Sequence, residues 1–367
     1  MFELTNAQRK HFGLQPISDD WVRMEPINTP RWCTTIAYLD GTVVRKYIET
    51  GNEIYTEYEL CEQLSDDLCY LQPKTAKGKP VLFSCANLKK RTGFGMCLSY
   101  MHHSPSPNCP SHIFLENLTT AKLYYSSEYD PIFVHNISEF EQWVNTWCAE
   151  STPDDLKDID RFARQQRQHI DFHEGDVFRF KINRRLYGYG RILIDFSLMR
   201  KKKIPFWDVF RGKPLICSVY HIATERKDVT AAELAKYNSL PSVPMMDNHL
   251  YYGAYEIIGH IPIGESEDYP ILYGYSFSAI ENAVLFQWGK LYRREENTTP
   301  LFTNFRSCSI GFGLDFHLSV LQACIADGSN APHWNQDTLD TNSDLRNPKF
   351  QTEREQILRH FGLPHKS

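Results

Sequence analysis

Residues 175–194 read GDVFRFKINRRLYGYGRILI. The stretch has two competing readings. Gly188-Tyr189-Gly190 among arginines suggests a loop that cradles phosphate, whereas the period-2 alternation of apolar residues suggests a β-hairpin. A P-loop needs GxxxxGK followed by Ser or Thr, and that lysine is missing. A dinucleotide fingerprint needs a third glycine opening a helix, and here Arg191–Phe196 continues as strand-like sequence. The hairpin is self-consistent. Phe178, Phe180 and Ile182 share one face of the first strand, with Val177, Arg179 and Lys181 on the other, and Asn183-Arg184-Arg185 can turn. On the return strand Gly188, Gly190, Ile192 and Ile194 share a face, opposite Tyr187, Tyr189 and Arg191. A register that sets Phe178 and Phe180 over the two glycines uses the space left by the missing Cβ atoms.

That register turns Arg179, Lys181, Tyr187, Tyr189 and Arg191 outward, and Tyr and Arg are enriched at protein-binding hot spots. Tyr-Gly pairs recur in Tyr251-Tyr252-Gly253-Ala254-Tyr255 and Tyr273-Gly274-Tyr275, both in strand-like runs. They read either as glycine corners of a bent sheet supported by tyrosine or as a tyrosine-lined concave surface. The second reading adds Tyr252 and Tyr273 to the candidate partner-binding residues.

The chain has 367 residues, 42% of them apolar and 23% charged. Such a chain is globular and too long for one ordinary core. Its 20 Tyr and 22 Phe favour sheets. The net charge of −5 carries no nucleic-acid signature, but Asp176–Lys213 holds eleven Lys/Arg against three Asp. Such a patch either attracts an acidic protein, a nucleic acid or a phosphorylated ligand, or is a solvated face. No apolar run approaches the ~20 residues needed to span a membrane, and the N-terminus lacks an export-signal core. A cytoplasmic location without membrane attachment is therefore expected. The ten cysteines form no CxxC pair. They are expected to be reduced and mostly to act as small buried apolar residues.

The expected fold class is α+β and multi-domain. Residues 1–150 read as an N-terminal α+β domain of unknown role. In it, Asp40-Gly41 joins the β-rich runs Trp32–Leu39 and Thr42–Ile48 as a hairpin. Further strands are expected at Val81–Cys85, His112–Leu115 and Lys122–Tyr125. Ser138 and Glu141 match a capping box, followed by a helix with Phe140, Trp143, Val144 and Trp147 on one face. Residues 151–172, opened by Thr152, Pro153 and Asp155, read as a polar linker helix. Residues 173–300 read as a β-rich domain with one strongly bent antiparallel sheet or open barrel and a short helix opened by Thr230 and Glu233. Its strands are expected at 176–182, 186–195, 215–222, 251–263, 269–277 and 283–293. Residues 301–367 read as a C-terminal helical segment packing on the preceding domain, with helices at Leu314–Ile325 and Thr352–Phe361. Gln8–Leu14 (QRKHFGL) and Leu358–Leu363 (LRHFGL) echo each other, as two helix ends with Gly at C′ would.

Catalytic constellations are weak: no GxSxG elbow and no HExxH occur. His102, His103, His112 and His135 with Cys97 and Cys109 would bind a metal only if three or four converged. The same holds for His221, His249 and His260 with Asp247 and Glu256. No catalytic residue, metal site or cofactor is assigned from the sequence.

GDVFRFKINRRLYGYGRIL, FWDVFRGKPL (206–215), the helix opened by Thr230, YYGAYEIIGH (251–260) and NAVLFQWGKLYRRE (282–295) together resemble the immunity-protein-26 family of bacterial polymorphic-toxin systems. The resemblance covers roughly residues 173–295. It implies an antitoxin of bacterial competition, a cytosolic protein that binds and occludes a cognate protein toxin. Arg179, Lys181, Tyr187, Tyr189, Arg191, Tyr252 and Tyr273 are its expected contacts. Relatives are also labelled similar to a small phosphotriesterase. A metal-dependent hydrolase is thus one alternative, though no ligand set for it is visible. Nucleic-acid binding through 176–213, with the basic loop at 74–79, is the other and less favoured one.

Overall fold

The computed structural model describes residues 1–71, 75–102, 108–203, 213–275, 283–307, 321 and 333–363. The chain divides into two compact units. One comprises Met1–His169 with Ile182–Arg184, and the other Ile170–Lys181 with Arg185–Ser367. The expected helix at 314–325 lies, except for Leu321, outside the described residues.

The first unit is built on a seven-stranded antiparallel sheet. Helix α1 (Asn6–His11) precedes β1 (Val22–Met24), β2 (Thr34–Asp40), β3 (Val43–Thr50) and β4 (Ile54–Gln63). The short pair β5 (Cys69–Tyr70) and β6 (Val81–Leu82) and helix α2 (Cys85–Leu88) come next. They are followed by β7 (Phe94–Met101), β8 (His112–Asn117) and β9 (Lys122–Ser126), then helices α3 (Ile137–Ala149) and α4 (Pro153–Ala163). The sheet order is β1-β2-β3-β4-β7-β8-β9. Asp40 pairs with Val43, so the β2–β3 turn residues are Gly41 and Thr42, one position later than the sequence suggests. Gly41 takes the positive φ of 60° that the first turn position of a type II′ hairpin demands.

Alternation along the strands splits the core in two. Ile36, Tyr38, Leu98, Tyr100, Ile113 and Leu115 pack with Phe12, Phe140, Val144, Trp147 and Ile159 of the helices. Ala37, Leu39, Val44, Leu60 and Leu64 pack with Tyr70, Phe83 and Leu88 on the opposite side. The cap of helix α3 lies two residues before the expected one. Asn136, not Ser138, accepts from the Glu139 amide, and Glu139 in turn accepts from the Asn136 side chain and the His135 amide. An Asn–Glu pair at cap spacing outcompetes Ser138–Glu141 because it also satisfies the amide before the cap. Thr152 and Asp155 form the expected capping box. Helix α4 is nevertheless no free linker. Its Ile159 is buried in the first core and Phe162 packs against it, so the first unit runs to His169.

A buried charge cluster ties α1 to the sheet. Glu57 accepts from Lys46 (2.8 Å), Arg9 (2.9 Å) and Tyr55 (2.7 Å). Lys46 and Glu57 are fully buried. Burial alone would raise the Glu57 pKa, but Lys46 and Arg9 outweigh it and hold the carboxylate below its ordinary range.

The second unit starts with β10 (Asp176–Lys181) and β11 (Tyr187–Asp195), followed by α5 (Ser197–Lys201), β12 (Pro214–Thr224) and α6 (Ala231–Leu234). Then come β13 (Val243–Met246), α7 (Asn248–Tyr251), β14 (Glu256–His260), β15 (Ile271–Tyr275), β16 (Ala283–Trp288) and β17 (Leu291–Glu296). Among the described residues these form two antiparallel sheets, β13-β12-β11-β10-β14 and β15-β16-β17, within the expected α+β class. Neither closes into a barrel. The run 251–263 is helix α7 and a turn before β14. The run 283–293 is a hairpin turning at Gly289 (φ 56°). Helix Gln351–His360 packs Ile357 and Leu358 against Ile271, Tyr273, Val284 and Phe286 of the smaller sheet.

The two HFGL ends share one capping solution. Leu14 N–H donates to Arg9 O and Gly13 N–H to Lys10 O. Leu363 N–H donates to Leu358 O and Gly362 N–H to Arg359 O. Both are Schellman motifs, with Gly13 and Gly362 at φ 65° and 66°. Of the eight described cysteines, Cys33, Cys85, Cys97 and Cys217 are buried and Cys61 is exposed. Core burial thus holds for half of them, not most, and it pushes the Cys33 thiol up to about 11.

Lys46→Met leaves Glu57 buried with one cation fewer and should lower the unfolding free energy by about 3 kcal/mol in urea titrations of the full chain. Because the folded-state pKa of Glu57 is depressed, its contribution is present above the unfolded-state Glu pKa of about 4.3. That contribution fades as pH falls through the lower folded value. Glu57→Gln should remove that part of the acid sensitivity of the urea midpoint.

Candidate partner-binding face

The hairpin of β10 and β11 has the register that the glycines predict. Phe178 pairs with Gly190 and Phe180 with Gly188. A Cβ at Gly188 would lie 2.4 Å from Phe180 Cζ, and one at Gly190 2.4 Å from Phe178 Cζ. The rings fill the volume where side chains would stand. Tyr255 then stacks on Phe178 (centroids 5.5 Å apart, planes 8°) and His249 stacks on Tyr255 at 4.8 Å. This face of the sheet is closed.

The opposite face is not displayed in the way the alternation suggests. Val177, Tyr187, Tyr189 and Tyr220 form a second apolar layer with Val229 and Leu234, which α6 and the loop before it lay over the strands. Tyr189 is fully buried and Tyr187 is 5% exposed. Tyr189 Oη donates to Arg226 O at 2.6 Å, which pins the covering loop, and burial raises its pKa above the ordinary range. Tyr273 is also buried, with its Oη accepting from Leu301 N–H at 2.7 Å. Tyr252 caps helix α7, is half-buried and lies outside any strand. The expectation of an outward tyrosine face is therefore corrected. A strand in a covered sheet buries both faces, and tyrosine tolerates this because its hydroxyl finds a backbone partner.

The charged residues of that face lie at its margin. Arg179 pairs with Glu256 at 2.5 Å and also donates to Lys227 O. Arg191 pairs with Glu267. Arg184, counted with the first unit, pairs with Asp155 at 3.6 Å. Carboxylates from elsewhere thus offset three arginines of the basic segment. The heads of Arg179, Lys181 and Lys227 stand 5.2, 5.7 and 5.5 Å from the Tyr187 ring centroid. Three cations thus cluster on one ring, within cation–π range. Lys227 was not foreseen, because a loop held by Tyr189 brings it to the hairpin from 40 residues away in sequence. Lys201–Lys203 form a further exposed basic run at the end of α5.

Of the histidines, His102 and His135 come together, with ring centroids 5.1 Å apart; His103 lies outside the described residues. His260 Nδ1 lies 3.0 Å from Asp176 Oδ1. Among the described residues no three His, Cys, Asp or Glu side chains are grouped to hold a metal. No helix among them is long and apolar enough to cross a membrane.

The compact α+β segment that carries this hairpin is the part of the chain with a family likeness. Residues 173–283 match the family model described as Immunity protein 26, a likeness confined to less than half of the chain. The match takes in β10 to β15 and the cationic margin around Tyr187. No curated protein and no solved structure matches the chain.

Gly190→Ala should lower stability by about 1–3 kcal/mol, as overpacking does, when thermal unfolding is followed by circular dichroism. Phe178→Leu added to Gly190→Ala should recover part of that loss. A simple loss of backbone flexibility would not be rescued in this way.

Proposed function

We propose that the protein is an immunity protein of a polymorphic-toxin system, one that binds a cognate bacterial toxin in the cytoplasm and occludes its working surface. The observation that carries this reading is the match of residues 173–283 to the Immunity protein 26 model. The cationic margin supports it. Arg179, Lys181 and Lys227 are gathered at one edge of the matched segment, where cations accelerate encounter with an acidic surface and select against basic ones.

The contact set differs from the one the sequence suggests. Arg179, Lys181 and Lys227 form the rim, while Arg191 and half-buried Tyr252 are kept as further candidate contacts. Tyr187, Tyr189 and Tyr273 act from within, holding the rim and the smaller sheet in place. Edge strand β14, whose Glu256 and His260 are exposed, borders the same rim. Binding there is competitive with whatever substrate the toxin engages through that acidic surface.

The test is co-expression with the toxin encoded beside the gene. Wild-type protein should restore growth, and Lys181→Glu with Lys227→Glu should abolish protection while leaving the thermal unfolding midpoint in place. No protection by the wild type would sink the immunity reading. Full protection by the double variant would sink the rim but not the reading.

A further inference from the structure

We propose that the first unit carries its own interaction surface, a groove that takes an acidic polypeptide segment bearing apolar side chains. The groove lies outside the residues matched to the immunity family, and the inference does not depend on that match.

It is open, with a volume of about 680 Å³, and is lined by Ile27 and Asn28 on one side and by residues between Thr75 and Arg91 on the other. Ile27 is 49% and Leu82 54% exposed, so two branched apolar side chains stand open to solvent at one place, an arrangement that marks contact surfaces. Lys90 is exposed at the wall, and Lys77 and Lys79 are exposed on the turn between the lining residues Thr75 and Pro80. The turn is fixed by Thr75, whose amide donates to Lys79 O and whose hydroxyl accepts from Lys79 N–H. Arg91 is held by Glu62 at 2.5 Å and by stacking over Tyr70 at 3.8 Å. The cations are thus carried by ordered backbone, not by a tail.

Charge selects the occupant. From Leu68 to Leu115 the sequence has six Lys/Arg and no Asp or Glu, in a chain whose net charge is −5. Among the described residues that line the groove only Glu62 carries a carboxylate, and Arg91 pairs with it. An incoming acidic segment therefore meets Lys77, Lys79 and Lys90 without like-charge repulsion. Its apolar side chains meet Ile27, Val81 and Leu82. A nucleic acid fits less well, because no aromatic residue lines the groove to stack a base.

The experiment uses the full chain and fluorescence anisotropy with a short fluorescein-labelled peptide of alternating Glu and Leu. The controls are the same peptide with Lys for Glu and a labelled oligothymidylate. The Glu peptide should bind with an affinity that falls as salt rises. Lys79→Glu with Lys90→Glu should weaken it about tenfold, and Leu82→Ser should weaken it independently. These positions are exposed, so circular dichroism should remain that of the wild type. Failure of the Glu peptide to bind, equal binding of the Lys peptide, or binding unchanged in the double variant would overturn the proposal. Tighter binding of the oligothymidylate would overturn it in favour of a nucleic-acid site.

Discussion

Two phenylalanine rings occupy the space above two glycines, and the second unit is organised around that fit. With Phe178 on Gly190 and Phe180 on Gly188, a slip of one residue would drive each ring into a side chain and turn Val177 and Tyr189 to the wrong face. Everything adjacent inherits the register. Tyr255 stacks on Phe178 where that ring fills the space left by the glycine, and the α7 turn that presents Tyr255 leads into β14. On the reverse face, the same register fixes Tyr189 where its hydroxyl reaches Arg226 O, and so fixes the loop that delivers Lys227. One packing constraint thereby sets both the core of the sheet and the position of its cationic rim.

The part of this that was legible in the sequence is the part decided by local sterics. Period-2 alternation with glycines opposite phenylalanines admits one sensible pairing, and Thr152-Pro153 with Asp155 admits one sensible cap. The burial of Tyr187, Tyr189 and Tyr273 was not legible, because alternation reports two faces but not what covers each. The covering element for Tyr187 and Tyr189 is a four-residue helix, Ala231–Leu234, that lies some 40 residues on and is too short to leave a periodic signal. Tyrosine compounds the difficulty, since the same side chain serves as an interface anchor and as a core residue with a bonded hydroxyl. Likewise, 251–255 reads as strand from its aromatic content, yet Asp247-Asn248 opens a helical turn there.

The first unit shows the same limit with charges. Lys46 and Glu57 lie in alternating strands and look like ordinary solvent-facing residues. Their burial depends on Arg9, which helix α1 brings from outside the sheet. No local pattern predicts a three-way ionic contact that spans the N-terminus and two strands. Such a cluster makes α1 conditional on the sheet, since desolvating Arg9 without Glu57 would be strongly unfavourable. The polar composition of α4 misled for a related reason. A thin stripe of Ile159, Phe162 and Ala163 suffices to dock a helix that is otherwise largely polar.

These local compensations also resolve an apparent conflict between net charge and partner. A chain at −5 would be expected to repel acidic surfaces. At physiological ionic strength, however, exposed charges act over a screening length of about 8 Å, so an approaching partner responds to the nearest few groups and not to the sum. Arg179, Lys181 and Lys227 each stand within 6 Å of the Tyr187 ring centroid, so an approaching partner meets them as one group. Several of the protein's carboxylates, among them Glu57, Glu256 and Glu267, are engaged by its own cations. Basic side chains are gathered at one rim, where Arg179 is paired with Glu256. The acidic partner proposed above would respond to that distribution, and the glycine–phenylalanine register is what holds the distribution in place.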